Sequence, residues 1–195
     1  MSLGASGALG NALVFFDWKG LDVVREYVIP ANPKTDAQNT HRAILTAAVA
    51  AIHATEAHAA KPLLPIDKAA YALLGSCEPT PRTWFNQIVG DWIVAVRNAE
   101  KRQIHVQGTF SDPAPGQITI TTYNHQEASQ AGFFFCGTSK TALTKKVAAN
   151  GVANVHTGVF TGLTSRTKYY FQFRPTKVTD DRYVQRSGIY YHVCT

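Results

Sequence analysis

Three histidines, His41, His53 and His58, stand close together in an alanine-rich stretch, and clustered imidazoles are the first pattern here that could hold a metal ion. On a helix, positions five apart diverge by about 140°, so His53 and His58 do not stack over one another. No cysteine or carboxylate completes a set, and no metal is expected. The carboxylates Asp17, Asp22 and Glu26 could be paired for acid–base work. Asp17 reads as a turn residue, however, and the other two alternate along a strand that also carries Arg25, a pattern explained by charges on an edge strand. Cys77, Cys136 and Cys194 have no C-x-x-C spacing. Cys136 follows Phe133, Phe134 and Phe135, and such apolar surroundings raise a thiol's pKa and leave it inert. No G-x-S-x-G, phosphate-binding loop or G-x-G-x-x-G is present. The expectation is a protein that is not an enzyme, with no catalytic residue and no cofactor.

What remains are residues suited to contact. Trp18, beside Lys19 and Gly20 at a hairpin tip, is too large for a hairpin alone to bury. It either folds back on the helices or anchors in a neighbouring molecule, with Lys19 and Arg25 at its rim. Tyr170, Tyr190 and Tyr191 are expected to point outwards from strands, where sugar rings could stack on them or where they only brace the sheet.

Charge divides the chain. Residues 1–100 hold 8 Lys/Arg against 9 Asp/Glu, net −1, and residues 101–195 hold 11 against 4, net +7. The basic residues are scattered, so docking on an acidic partner explains them better than a nucleic-acid track, although the basic half leaves nucleic acid open. An odd, sparse cysteine set fits folding in a reducing cytoplasm. The first residues do not read as a signal peptide, and no apolar run reaches the ~20 residues of a membrane helix, so a soluble product with no membrane partner is expected.

The elements that must position these residues read as follows. Residues 1–11 form a glycine-rich arm. Ala12–Phe16 and Leu21–Ile29 make a hairpin around a four-residue turn at Asp17–Gly20, and Pro30–Pro33 enforces an extended path. Thr35 and Gln38 make a capping box for a helix reaching about His58. A second helix is expected over Ile66–Leu74 with Gly75 as its cap. A third opens on Thr80-Pro81 and carries the stripe Trp84, Phe85, Ile88, Val89, Trp92 and Val96. From Gln103 the period changes to that of strands, some seven of them, with a Pro-rich loop at Asp112–Gly116. The fold class expected is α+β, in two domains. Residues 1–100 hold the arm, hairpin and three-helix unit, and residues 101–195 an all-β sandwich, with the boundary at Glu100-Lys101-Arg102.

The segment from Gly162-Leu163-Thr164 through Tyr169-Tyr170-Phe171-Gln172-Phe173 resembles the tyrosine corner of fibronectin type III and other immunoglobulin-like sandwiches. The resemblance implies that Tyr169 ties the corner, with Phe171 and Phe173 inside. A second resemblance runs over Gly10-Asn11, Trp18-Lys19-Gly20, Val24-Arg25, Pro30-Ala31-Asn32-Pro33-Lys34-Thr35, Gln38, Arg42 and Thr83-Trp84-Phe85-Asn86. That string resembles an uncharacterised family encoded in phage and prophage genomes among virion genes. It implies a structural component of a tailed bacteriophage virion: a capsid-decorating, head–tail junction or tail-associated subunit, made in the bacterial host cytoplasm. Its partners would be other virion proteins and copies of itself, and Asn32 and Arg42 join Trp18, Lys19 and Arg25 as interface candidates. The alternative is an adhesion module whose sandwich binds a glycan or host surface.

Overall fold

The computed structural model describes residues 6–10, 12–28, 34–100, 102–124, 131–152, 154–176 and 186–195. Among them are three helices and three antiparallel sheets, an α+β content that includes two facing four-stranded sheets. The chain divides into two compact units, residues 1–39 and 40–195.

In the first unit, β1 (Gly7–Leu9), β2 (Leu13–Trp18) and β3 (Leu21–Glu26) form one sheet in the order β1-β2-β3. The glycine-rich arm therefore supplies a strand, Leu9 pairing with Leu13 and Gly7 with Phe15. The hairpin turn is tighter than the four residues expected. Asp17 and Trp18 belong to β2, and Lys19 and Gly20 alone make the turn, both left-handed at φ 56° and 79°. Two positive φ values define the tight hairpin turn whose twist matches the strands, which glycine takes without cost. The Pro30–Pro33 segment lies outside the described residues.

α1 (Asp36–Glu56) runs from the first unit into the second; at its start the Gln38 amide donates to Thr35 Oγ1, one half of the expected capping box. α2 (Pro65–Gly75) has proline at its first position. Gly75 is not the cap expected: it is the last residue of α2, Ser76 caps the helix, and a Cβ at Gly75 would stand 2.5 Å from the Arg82 carbonyl oxygen. α3 (Trp84–Arg97) begins later than Thr80-Pro81 suggested. The Arg82 amide donates to the Gly75 carbonyl, which holds that segment against the end of α2, and Thr83 caps α3 by accepting from the Asn86 amide.

The strands of the second unit are β4 (His105–Ala114), β5 (Gln117–Asn124), β6 (Gly132–Gly137), β7 (Lys145–Ala148), β8 (Asn150–Val152), β9 (Val155–Phe160), β10 (Lys168–Pro175) and β11 (Tyr190–Val193). They pair as β4-β5-β9-β8 and β11-β10-β6-β7. The expected Pro-rich loop is mostly strand: β4 continues to Ala114 through a register shift after Ser111, so only Pro115 and Gly116 turn. Alternate residues fill the interior, with Ile118, Ile120, Phe134, Phe160, Phe171 and Phe173 all buried.

The step at Glu100–Arg102 marks where helices give way to strands without a break in packing. Ile104, Val106 and Ile189 of the strand region share one core with Ile52, Leu74, Ile88 and Trp92 of the helices. At the seam Asp67 is fully buried. Its Oδ1 accepts from the Tyr190 hydroxyl at 2.8 Å and the Gly108 amide at 3.2 Å, while Oδ2 accepts from the Leu64 amide at 2.9 Å and caps α2. Tyr71 accepts from the His105 amide at 2.9 Å. Three of these four hydrogen bonds join α2 to distant strand residues, which fixes α2 on the sheets. Gly188 belongs to the same seam: a Cβ there would stand 2.6 Å from the Ala70 carbonyl carbon.

Candidate functional site

The N-terminal sheet is poorly covered by the rest of the described chain. None of its side chains is buried. The register Val14↔Arg25, Phe16↔Val23 and Trp18↔Leu21 puts these residues on one face, with Arg25 lying 5.3 Å over the Phe16 ring. At the tip Trp18 and Leu21 stand opposite one another, 61% and 69% exposed, with Lys19 Nζ 5.7 Å above the indole. The other face carries Asp17 opposite Asp22, then Phe15 opposite Val24, then Leu13 opposite Glu26. Two carboxylates facing across a ladder repel each other. The Gly20 amide donates to Asp17 Oδ1 at 3.0 Å and holds one of them.

Of the interface candidates, Trp18, Lys19 and Arg25 therefore share one sheet and are exposed. Arg42 is exposed on α1, and Asn32 lies outside the described residues.

The three tyrosines separate. β11 pairs with β10 so that Tyr190 stands opposite Phe171 and Tyr191 opposite Tyr170. Tyr190 therefore faces inwards, 2% exposed, with its hydroxyl on Asp67, and the expectation that it points to solvent is corrected. Burial pushes that phenol well above its ordinary pKa. Tyr191 is 55% exposed, its ring centroid 6.3 Å from that of half-buried Tyr170, and Lys168 Nζ lies 3.8 Å over the Tyr191 ring. Tyr169 is buried, and its hydroxyl accepts from the Thr164 amide at 3.0 Å.

Beside Tyr191 lies a groove of about 630 Å3 between α2 and β11. Its floor is Ala69, Ala70, Leu73 and Ile189, and half-exposed Ile66 stands at its rim. No local pattern announces it, since its walls come from segments more than a hundred residues apart.

The histidines singled out near the end of α1 are held by local partners. His53 bonds Glu56 at 3.0 Å, and His58 Nδ1 accepts from the Ala60 and Lys61 amides. Among the described residues no group of three His, Cys, Asp or Glu side chains could hold a metal ion. Desolvation pushes the Cys136 thiol up to about 12 and the His156 imidazole down to about 4. Asp112 is held below the ordinary carboxylate range: partial desolvation works against this, and the hydrogen bonds from Thr195 and His192 outweigh it. Several cations of the basic half are spent internally, Lys140 on Ser76, Lys145 on the Gly162 carbonyl and Arg186 on Glu78. No helix of the described residues is long and apolar enough to cross a membrane.

Comparison with protein-family models, with curated proteins and with solved structures gives no match.

Proposed function

We propose that this chain is a structural subunit of a tailed bacteriophage particle, acting through contacts with other virion proteins and copies of itself, and that its β-sandwich is of the fibronectin type III or immunoglobulin type. The observation that carries the reading is the N-terminal sheet. A three-stranded sheet without a dry face is marginal on its own in water, because backbone pairing alone scarcely offsets the entropy of ordering it. Here no side chain of the sheet is buried, and Leu9, Trp18, Leu21 and Val24 are exposed. Docking on another polypeptide would complete it, each large side chain so covered contributing about 1.5–3 kcal/mol. Of the string that resembles the phage family, Trp18-Lys19-Gly20 and Val24-Arg25 fall on this sheet. The sandwich type is supported by two sheets exchanging strands in the order above and by the hydroxyl of Tyr169 tied to Thr164.

The test is incorporation. Deleting residues 1–35, ahead of α1, should remove the protein from purified particles while circular dichroism still reports a folded remainder. Particles carrying the shortened chain at normal copy number would refute the reading.

A second reading, binding of a glycan or host surface, draws on the exposed Tyr191 ring with Lys168 against it. It has lost one of its three aromatic residues with the burial of Tyr190. The full chain on a glycan array, compared with Tyr191→Ala, tests it: absence of any Tyr191-dependent signal would remove it.

A further inference from the structure

We infer that the hairpin tip of one copy, Trp18 and Leu21, inserts into the groove between α2 and β11 of a second copy. This rests on reading the chain as a subunit present in many copies, and it names the contact by which copies join.

Each partner surface is incomplete in a way the other supplies. The tip presents two large apolar side chains directly across a hairpin, both more than half exposed. The groove presents apolar walls, with Ile66 and Tyr191 at its rim 50% and 55% exposed. Its volume of about 630 Å3 lies within the roughly 300–1,000 Å3 of pockets that enclose a drug-sized ligand. An indole and an isobutyl group together take up less than half of the groove, which leaves room for the turn that carries them. The groove is preformed, because the Asp67 bonds to Tyr190, Gly108 and Leu64 lock α2 against β11 and β4.

Charge fits the same placement. The row of the hairpin next to Trp18 and Leu21 is Asp17 and Asp22, two carboxylates facing one another on the opposite side of the sheet. Beside the groove Lys168 lies over the Tyr191 ring. Seating the tip places the acidic row outside the apolar walls, where Lys168 relieves the repulsion between the two carboxylates. Cation and anion at the rim of an apolar contact fix orientation more than affinity. Tip and groove are different surfaces, so the contact is head-to-tail unless two protomers exchange tips. Either form requires two chains.

Sedimentation velocity of the full chain at low salt, up to about 1 mM, where weak specific contacts register, tests the inference. Wild-type protein should self-associate with rising concentration. Trp18→Ala with Leu21→Ala should lose at least tenfold in association, and so should Ala69→Glu, which fills and charges the groove from an exposed position of α2. Asp22→Lys and Lys168→Glu should each weaken association alone and restore it when the two variants are mixed, an outcome only an intermolecular contact gives. A chain monomeric throughout overturns the inference, as does self-association indifferent to both the tip and Ala69 variants. Circular dichroism of each variant separates loss of contact from loss of fold. Particle incorporation that depends on residues 1–35, found together with a monomeric or tip-indifferent chain, would sink this inference and leave the proposed function standing.

Discussion

Replacing Asp91 by asparagine isolates one buried charge whose surroundings pull in opposite directions. Asp91 sits on α3, where Gln87 Nε2 donates to its Oδ1 at 2.9 Å. The Arg186 guanidinium comes no nearer than 3.7 Å, because it pairs more closely with Glu78. Although the Asp91 side chain keeps 16% exposure, its Oδ2 touches no solvent and has no hydrogen-bond partner among the described residues. Desolvation therefore outweighs Arg186, and the carboxyl is pushed from its ordinary 3.8 up to about 6. An acid raised on folding takes its proton first in the folded state, so acidification from pH 6 towards 4 stabilises the fold, by about 3 kcal/mol for a shift of roughly two units. His156, buried beside Phe173 with ring centroids 4.2 Å apart, does the reverse. Its folded value of about 4 lies below its ordinary 6.5, so the unfolded chain is protonated first and stability falls by a similar amount between pH 6.5 and 4. In the wild type the two slopes nearly cancel. Asp91→Asn removes one of them. Urea unfolding followed by tryptophan fluorescence at half-unit steps from pH 7 to 4 should show the variant losing about 3 kcal/mol relative to wild type as pH falls. His156→Gln should show the opposite trend. A difference between Asp91→Asn and wild type that stays flat, or that grows in the variant's favour on acidification, would mean that Arg186 dominates and the reasoning from desolvation is wrong.

Three further outcomes follow from buried contacts. Tyr190→Phe removes a donor from fully buried Asp67 and should cost about 1–3 kcal/mol in urea unfolding, with a loss below ~0.5 kcal/mol showing that the bond is not needed. Tyr169→Phe strips the acceptor from the Thr164 amide and should cost about 1 kcal/mol, read as a lower thermal midpoint; an unchanged midpoint would deny the corner its bracing role. Iodoacetamide at pH 8 should modify half-exposed Cys77 and spare Cys136, buried with a thiol near 12, and Cys194, 1% exposed. Mass-spectrometric detection of Cys136 modification at a comparable rate would contradict that.

Elements whose signal is local were legible in the sequence. The α3 stripe repeats every three to four residues, and Ile88, Val89 and Trp92 are buried as that period requires. Alternation likewise marked strands from Gln103 on, some seven expected where eight are described, the three-residue β8 being too short to carry a period. The errors have a common cause in tertiary competition. Thr80-Pro81 carries every local mark of a helix start, yet Arg82 is held to Gly75 and the cap passes to Thr83. Ile189-Tyr190-Tyr191-His192-Val193 gives no parity of its own, because both faces read as apolar or aromatic. Pairing with β10 decides it, and a slip of one residue would exchange Tyr190 for Tyr191. The Asp67 cluster and the groove depend on pairs such as Asp67 with Tyr190, 123 positions apart, which no window along the chain can join.

The two halves of the inferred contact differ in how they are held, and under the proposed function that difference would suit a subunit that joins only in place. α2 and β11 are fixed by a satisfied buried network, so the groove costs little to organise before binding. The N-terminal sheet has no core of its own, and part of the free energy of seating Trp18 and Leu21 goes into ordering it. A single tip-to-groove contact should therefore be weak and rapidly reversed. On a surface that already holds neighbouring copies at the right spacing the second and later contacts become intramolecular, and the same weak tip becomes sufficient. On the inferred contact, premature association in solution would be suppressed by the very feature, an uncovered sheet, that would drive docking once a partner is present.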